Sequence, residues 1–92
     1  MTTSKMTMTK EEFGQWIKEL RNECDYTQER LSELLGFNCP QSIANIEAGR
    51  AALPKRCYKK FAELFRLDKE KFIDALIMLK RSEISSIIYG KK

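Results

Sequence analysis

Histidine is missing from all 92 residues of the chain. Its absence removes imidazole general bases, His-dependent triads and His metal sites. Cysteine is scarce. Cys24, Cys39 and Cys57 are odd in number, widely spaced and form no CxxC. Zinc-ribbon and thioredoxin-like arrangements are therefore excluded, and a secreted disulfide framework is disfavoured. The three side chains are expected to be buried or half-buried thiols of a reducing compartment. No apolar run approaches the ~20 residues a membrane span needs. The opening MTTSKMTM lacks the apolar segment of a signal peptide. No glycine-rich phosphate loop and no motif-placed carboxylate pair occurs, nor any repeat or low-complexity tract. These absences speak against an enzyme and against a cofactor, and they set the cytoplasm as the expected location.

What is present fits one small domain. Ninety-two residues, 42% of them apolar, allow a single modest core. The net charge of +4 is mild but unevenly placed. Residues 1–49 carry five Lys/Arg and eight Asp/Glu, net −3; residues 50–92 carry twelve and five, net +7. A fold that turns the second half outward would offer a positive surface to a polyanion, although a solvated charged face explains the same numbers.

Residues 1–8 read as a disordered arm. Thr9 and Glu12 have capping-box spacing, which starts a helix whose core face is Phe13, Trp16, Ile17, Leu20 and Cys24. Gly14 inside that helix calls for a close packing contact. Thr27 caps a second helix, with Tyr26 placed to pack on Leu31. That helix buries Leu31, Leu34 and Leu35, carries small Ser32 and ends at Gly36. After a turn at Phe37–Cys39, Pro40 suits the first position of a third helix that reaches Ala48. Cys39 is its N-cap by position and Asn38 by chemistry. Ile43 and Ile46 face inward; Gln41, Ala44 and Asn45 face outward. Gly49 ends it. Pro54 opens a fourth helix burying Cys57, Phe61, Leu64 and Phe65, with Lys55, Arg56, Lys59 and Lys60 in its first two turns. Asp68 caps a fifth, with Phe72, Ile73, Leu76 and Ile77 as its apolar face. Residues 84–89 fit an extension of that helix or a short strand. The implied organisation is an arm over 1–8, a helical domain over 9–79 and a tail over 80–92.

The centre of this pattern is Thr27–Gly49. Glutamine and asparagine pair bidentately with adenine, and an α-helix fits the major groove. Gln41 and Asn45 are two such amides on one face of a short helix. Ala44 between them permits close approach and could touch a thymine methyl. Ordinary solvated amides are the bland alternative.

Residues 21–76 resemble the Cro/lambda-repressor helix-turn-helix family, also called XRE. The resemblance rests on Arg21, Thr27-Gln28, Leu31-Ser32, Leu35-Gly36, Gln41-Ser42-Ile43, Ile46-Glu47, Gly49-Arg50, Leu53-Pro54 and the Phe61-Ala62-x-Leu64 run, in combination. It implies an all-α fold, a compact bundle of five helices with a C-terminal extension. It places base contacts on Pro40, Gln41, Ala44 and Asn45. Backbone contacts fall on Gln28, Ser42, Arg50, Lys55 and Arg56, with Gln28 also bracing the recognition helix. It implies a structural ion pair between Arg21 and Glu47. The turn GFNCPQ is one residue longer than the commonest form of the family, so the angle of the third helix needs its own explanation. That helix has no Arg or Lys before Arg50. Affinity then comes from flanking phosphate contacts, and base readout favours A·T-containing steps.

The resemblance implies a sequence-specific regulator of double-stranded DNA, working in the cytoplasm at the nucleoid. Its expected form is a dimeric repressor of a phage, mobile-element or restriction-modification operon, its own promoter included. A short recognition helix reads few base pairs, so a palindromic operator and a homodimer are expected. Ile73, Ile77, Ile84 and Ile87 lie near a heptad seam interrupted by Lys80, which makes the fifth helix and tail the expected dimer surface. The bundle is expected to use up the chain, which would fit control by protein concentration. Glu29 and Glu33 occupy the position from which relatives touch RNA polymerase, though solvated acids fit as well. The alternative is an antitoxin-like module with Ile84–Tyr89 docking a toxin. A redox role for Cys39 lacks a resolving partner.

Overall fold

Among the described residues, three helices begin on a side-chain cap and four end on one shared backbone turn. The computed structural model describes residues 8–90, so all of the arm expected over residues 1–8 except Met8 lies outside the described part. Five helices follow in order: α1 (Lys10–Glu23), α2 (Gln28–Leu35), α3 (Gln41–Glu47), α4 (Tyr58–Leu64) and α5 (Lys69–Tyr89). No strand occurs among the described residues.

The starts of α1, α2 and α5 match the sequence signals. Thr9 and Glu12 exchange the two bonds of a capping box. Thr27 accepts from the Arg30 amide and Asp68 from those of Glu70 and Lys71. Each such cap is worth about 1 kcal/mol.

The ends share one motif. After α1, α2, α3 and α4 the chain makes the paired backbone bonds of a Schellman turn. They run Tyr26 N to Arg21 O, Phe37 N to Ser32 O, Arg50 N to Asn45 O and Leu67 N to Ala62 O. The left-handed residue is glycine at Gly36 and Gly49, but Asp25 and Arg66 at the other two.

One buried cluster joins all five helices: Phe13, Ile17, Leu31, Leu35, Ile43, Ile46, Leu53, Cys57, Phe61, Ala62, Phe72 and Leu79. Phe61 is its centre, fully buried and in ring contact with Trp16, Phe65 and Phe72. Gly14 lies where α1 crosses α3. A β-carbon there would collide with the backbone oxygens of Ile46 and Glu47. A flaw in α1's own propensity is thus what lets the third helix sit against the first.

Several expectations are corrected. Cys24 is not on the core face; it caps the C-terminus of α1 and is exposed, as is Cys39. Pro40 is the N-cap residue of α3, not its first helical residue, and neither Asn38 nor Cys39 supplies a side-chain cap. Pro54 leads into a single 3-10 turn, Lys55–Cys57, before α4 proper. Leu34, Leu64 and Phe65 are half-buried.

The largest correction concerns α5. Its inward face is Phe72, Ala75 and Leu79, with half-buried Leu76, while Ile73 and Ile77 are exposed. Past Lys80 the chain takes the helical alternative as far as Tyr89. Met8, placed in the arm by the sequence, donates its amide to the Met78 carbonyl and packs against the core.

Candidate nucleic-acid interface

The helix-turn-helix is built on two small contacts. Leu31 and Leu35 of α2 and Ile43 and Ile46 of α3 are buried in the shared core. Ser32, also buried, donates its hydroxyl to the Cys39 carbonyl at 2.9 Å and so draws the turn onto α2. Phe37 is pinned from the far side by Arg56, whose guanidinium stands 5.3 Å from the ring centroid. The Cys57 thiol donates to the Leu35 carbonyl at 3.6 Å, closing the end of α2. Burial pushes that thiol's pKa up, and the neighbouring Arg56 charge offsets part of the rise.

The orientation of α3 is set at its other end. Glu47 accepts from Arg21 through Nε at 2.6 Å and through a terminal nitrogen at 3.2 Å. Arg21 gives its remaining terminal nitrogen to the Tyr26 carbonyl at 2.9 Å. Gln28 adds a third donor to Glu47, at 3.0 Å. The side chains of Arg21 and Glu47 are only 10% and 5% exposed. One buried carboxylate therefore ties α3 to α1, to α2 and to the connection between them. Charge-assisted, two-pronged bonds hold direction as well as distance.

The outward face of α3 carries the residues named from the sequence. Gln41 is exposed, Ala44 and Asn45 are half-buried, and Ser42 lies beside them, also half-buried. Pro40, exposed, precedes them at the helix start. Gln41 donates its side-chain amide to Asn45 Oδ1 at 3.1 Å. Arg50, one turn past the helix, donates Nε to the same oxygen at 3.4 Å. Lys55 and Arg56 are exposed on the 3-10 turn. From Arg50 to Lys60 the chain holds five basic residues and no acidic one, so this flank of α3 is uniformly positive.

A short amide-bearing helix, locked on a carboxylate and flanked by unopposed basic side chains, is the form of a DNA reader. The helix-turn-helix family model (HTH_3) matches residues 17–72.

The chain belongs to the Cro/lambda-repressor (XRE) type of helix-turn-helix protein.

No curated protein and no solved structure matches the chain significantly. Membership makes the protein a DNA-binding regulator of XRE type, drawn from a family of regulatory proteins and not of enzymes. Its partner is double-stranded DNA. No helix among the described residues is long and apolar enough to cross a membrane.

The match stops at Phe72, near the start of α5, so most of that helix lies beyond the family pattern. Three elements of the site were missed in the sequence: the Arg56–Phe37 stack, the Ser32 bond into the turn, and the Arg50–Asn45–Gln41 chain. A signal existed only for Ser32, whose small size was legible. The other two depend on where the turns after α2 and α3 return the chain.

Proposed function

We propose that this XRE-type regulator is a dimeric repressor acting on a palindromic operator at the nucleoid. Its target would be a small phage, mobile-element or restriction-modification operon, its own promoter included. The observation that supports sequence reading is the outward face of α3. Gln41, Ala44 and Asn45 stand together there on a helix whose angle is held by Glu47. In this reading Gln41, Asn45, Ala44 and Pro40 meet bases, while Ser42, Arg50, Lys55, Arg56 and the second N–H of the Gln28 amide meet phosphates.

Two substitutions separate these roles. Gln41→Ala should cost ~1–3 kcal/mol on the best site and relax one base position. A loss spread evenly over all sequences would mean that Gln41 reads no base. Lys55→Ala should weaken every sequence alike and lower the slope of log affinity against log salt by roughly one unit. An unchanged slope in a salt titration would remove Lys55 from the phosphate set.

The dimer is supported by α5, which carries two apolar stripes. Phe72, Ala75, Leu76 and Leu79 face the core. Ile73, Ile77, Ile84 and Ile88 lie about a third of a turn away and are 47%, 58%, 48% and 71% exposed. Lys80 interrupts that outer stripe and is held by Glu83 at 3.5 Å.

A second reading is favoured by the far end of the same helix. Ile87, Ile88 and Tyr89 are each more than 70% exposed, which suits docking of a second protein, as in an antitoxin. Co-purification of a stoichiometric partner encoded beside this gene would support it. The acidic side chains Glu29 and Glu33 are exposed on α2. They offer a surface for RNA polymerase should the regulator also activate.

A further inference from the structure

The amides of Gln41 and Asn45 each have an oxygen end and a nitrogen end, and which end faces DNA decides what they read. A free amide can turn over; these two are tied to a third group. Gly49, at φ +81, turns the chain back after α3. The Arg50 and Ala51 amides then both donate to the Asn45 carbonyl, at 2.9 and 3.3 Å. Gly49 is itself wedged against α1, with Glu11 atoms about 3 Å from where its β-carbon would be (Cγ 2.9 Å, Cα 3.0 Å). The base of the Arg50 side chain is thus fixed relative to α3. From there Nε reaches Asn45 Oδ1 at 3.4 Å, and Gln41 Nε2 reaches the same oxygen at 3.1 Å.

A guanidinium only donates. The Asn45 atom it faces must therefore be oxygen, and that oxygen in turn requires the nitrogen end of Gln41. Turning over Asn45 would set N–H groups head to head, and turning over Gln41 would set two oxygens head to head. With two donors on Oδ1, Asn45 has no acceptor left for an adenine amino group. It presents N–H donors only. Gln41 keeps Oε1 and one N–H, the acceptor–donor pair that adenine N6 and N7 require.

We propose that Arg50 is a specificity-determining residue of this regulator: acting through Asn45, it sets the polarity of both amides. Gln41 then reads adenine. Asn45 donates to an acceptor edge on a neighbouring base pair, guanine N7 or O6 or thymine O4. The terminal nitrogens of Arg50 stay available to a phosphate, so the two roles are compatible. The inference rests on the reading of α3 as a base-contacting helix.

The test compares wild type, Arg50→Ala, Arg50→Lys and Asn45→Ala. Each is titrated at one salt concentration on a duplex selected from random DNA and on duplexes with single base-pair changes in it. Arg50→Ala is expected to lower discrimination at the Gln41 base pair at least fivefold, beyond its loss of overall affinity. Arg50→Lys keeps the charge and should recover affinity but not discrimination. Adding Arg50→Ala to Asn45→Ala should cost no further discrimination. The inference is overturned if Arg50→Ala weakens every duplex by one common factor, which would leave Arg50 a phosphate contact alone. Equal binding of all duplexes by wild type would instead overturn the base-reading role of α3, and the relay with it. Unchanged melting temperatures of the variants exclude a folding defect, because Arg50 is exposed.

Discussion

Arg21→Ala should destabilise the protein by about 3–5 kcal/mol, the cost of stranding one member of a buried ion pair. Glu47 is 5% exposed in its side chain and would keep only the Gln28 bond. The Tyr26 carbonyl would lose its donor as well. A small domain holds about 5–15 kcal/mol in all. At about 4–8 °C per kcal/mol for a domain of this size, the melting temperature should fall by more than ~12 °C. The pair Arg21→Met with Glu47→Leu distinguishes stability from orientation. Well-packed apolar replacements of a buried pair are often neutral or better. That variant should therefore recover much of the melting temperature, yet bind its operator poorly because the directional bonds to Glu47 that fix the angle of α3 are gone. A single variant that melts within ~3 °C of wild type would show that the pair is not what holds the helix.

Ile77→Asp combined with Ile84→Asp should abolish the dimer and lower operator affinity by at least about 100-fold, since two half-sites would no longer be bound together. The monomer should melt as wild type does, because both side chains are about half exposed in the single chain, 58% and 48%. In a dimer the same positions would press a carboxylate into an apolar seam, which costs several kcal/mol unless the charge is paired. Sedimentation at micromolar protein, with and without operator, gives the answer. Wild type that remains monomeric on the operator, or a variant that dimerises as well as wild type, removes α5 from the role.

Much of the fold could be seen in the sequence because its devices are local. Thr9, Thr27 and Asp68 cap helices through bonds two or three residues long, and Gly36 and Gly49 end them through their own backbone freedom. Gly14 in α1 announced a close contact without naming the partner. What the sequence hid depends on distance or on choice between faces. The helices ending at Asp25 and Arg66 use the same turn as the glycine ones, but residues with no such preference conceal it. In α5, isoleucines lie on two faces at helical spacing. Periodicity shows that a face is apolar, not which neighbour covers it: Phe72, Ile73, Leu76 and Ile77 read as one face, yet Ala75 and Leu79 meet the core while Ile73 and Ile77 stay exposed. Cys24 was misplaced for a simpler reason: it fits the stripe of α1 but falls at the helix end, past the neighbouring helices.

The site divides in the same way. The residues of α3 were legible as a set, Gln41, Ala44 and Asn45, because they share one helix face. Their bonding was not. The oxygen of Asn45 meets Arg50 as well as Gln41 because Gly49 turns the chain back after α3, and that geometry lies in φ and ψ, not in composition. The turn GFNCPQ is held by Ser32 on the Cys39 carbonyl and by Arg56 over Phe37, contacts its composition does not announce.

The most direct test of the central claim is selection of duplexes from random DNA by the purified protein, with the number of chains per bound duplex measured on the winning sequence. The account predicts a palindrome with A·T pairs in each half-site, the halves about one helical turn apart, bound by two chains. Selection that enriches no sequence, or a single asymmetric site bound by one chain, would contradict it.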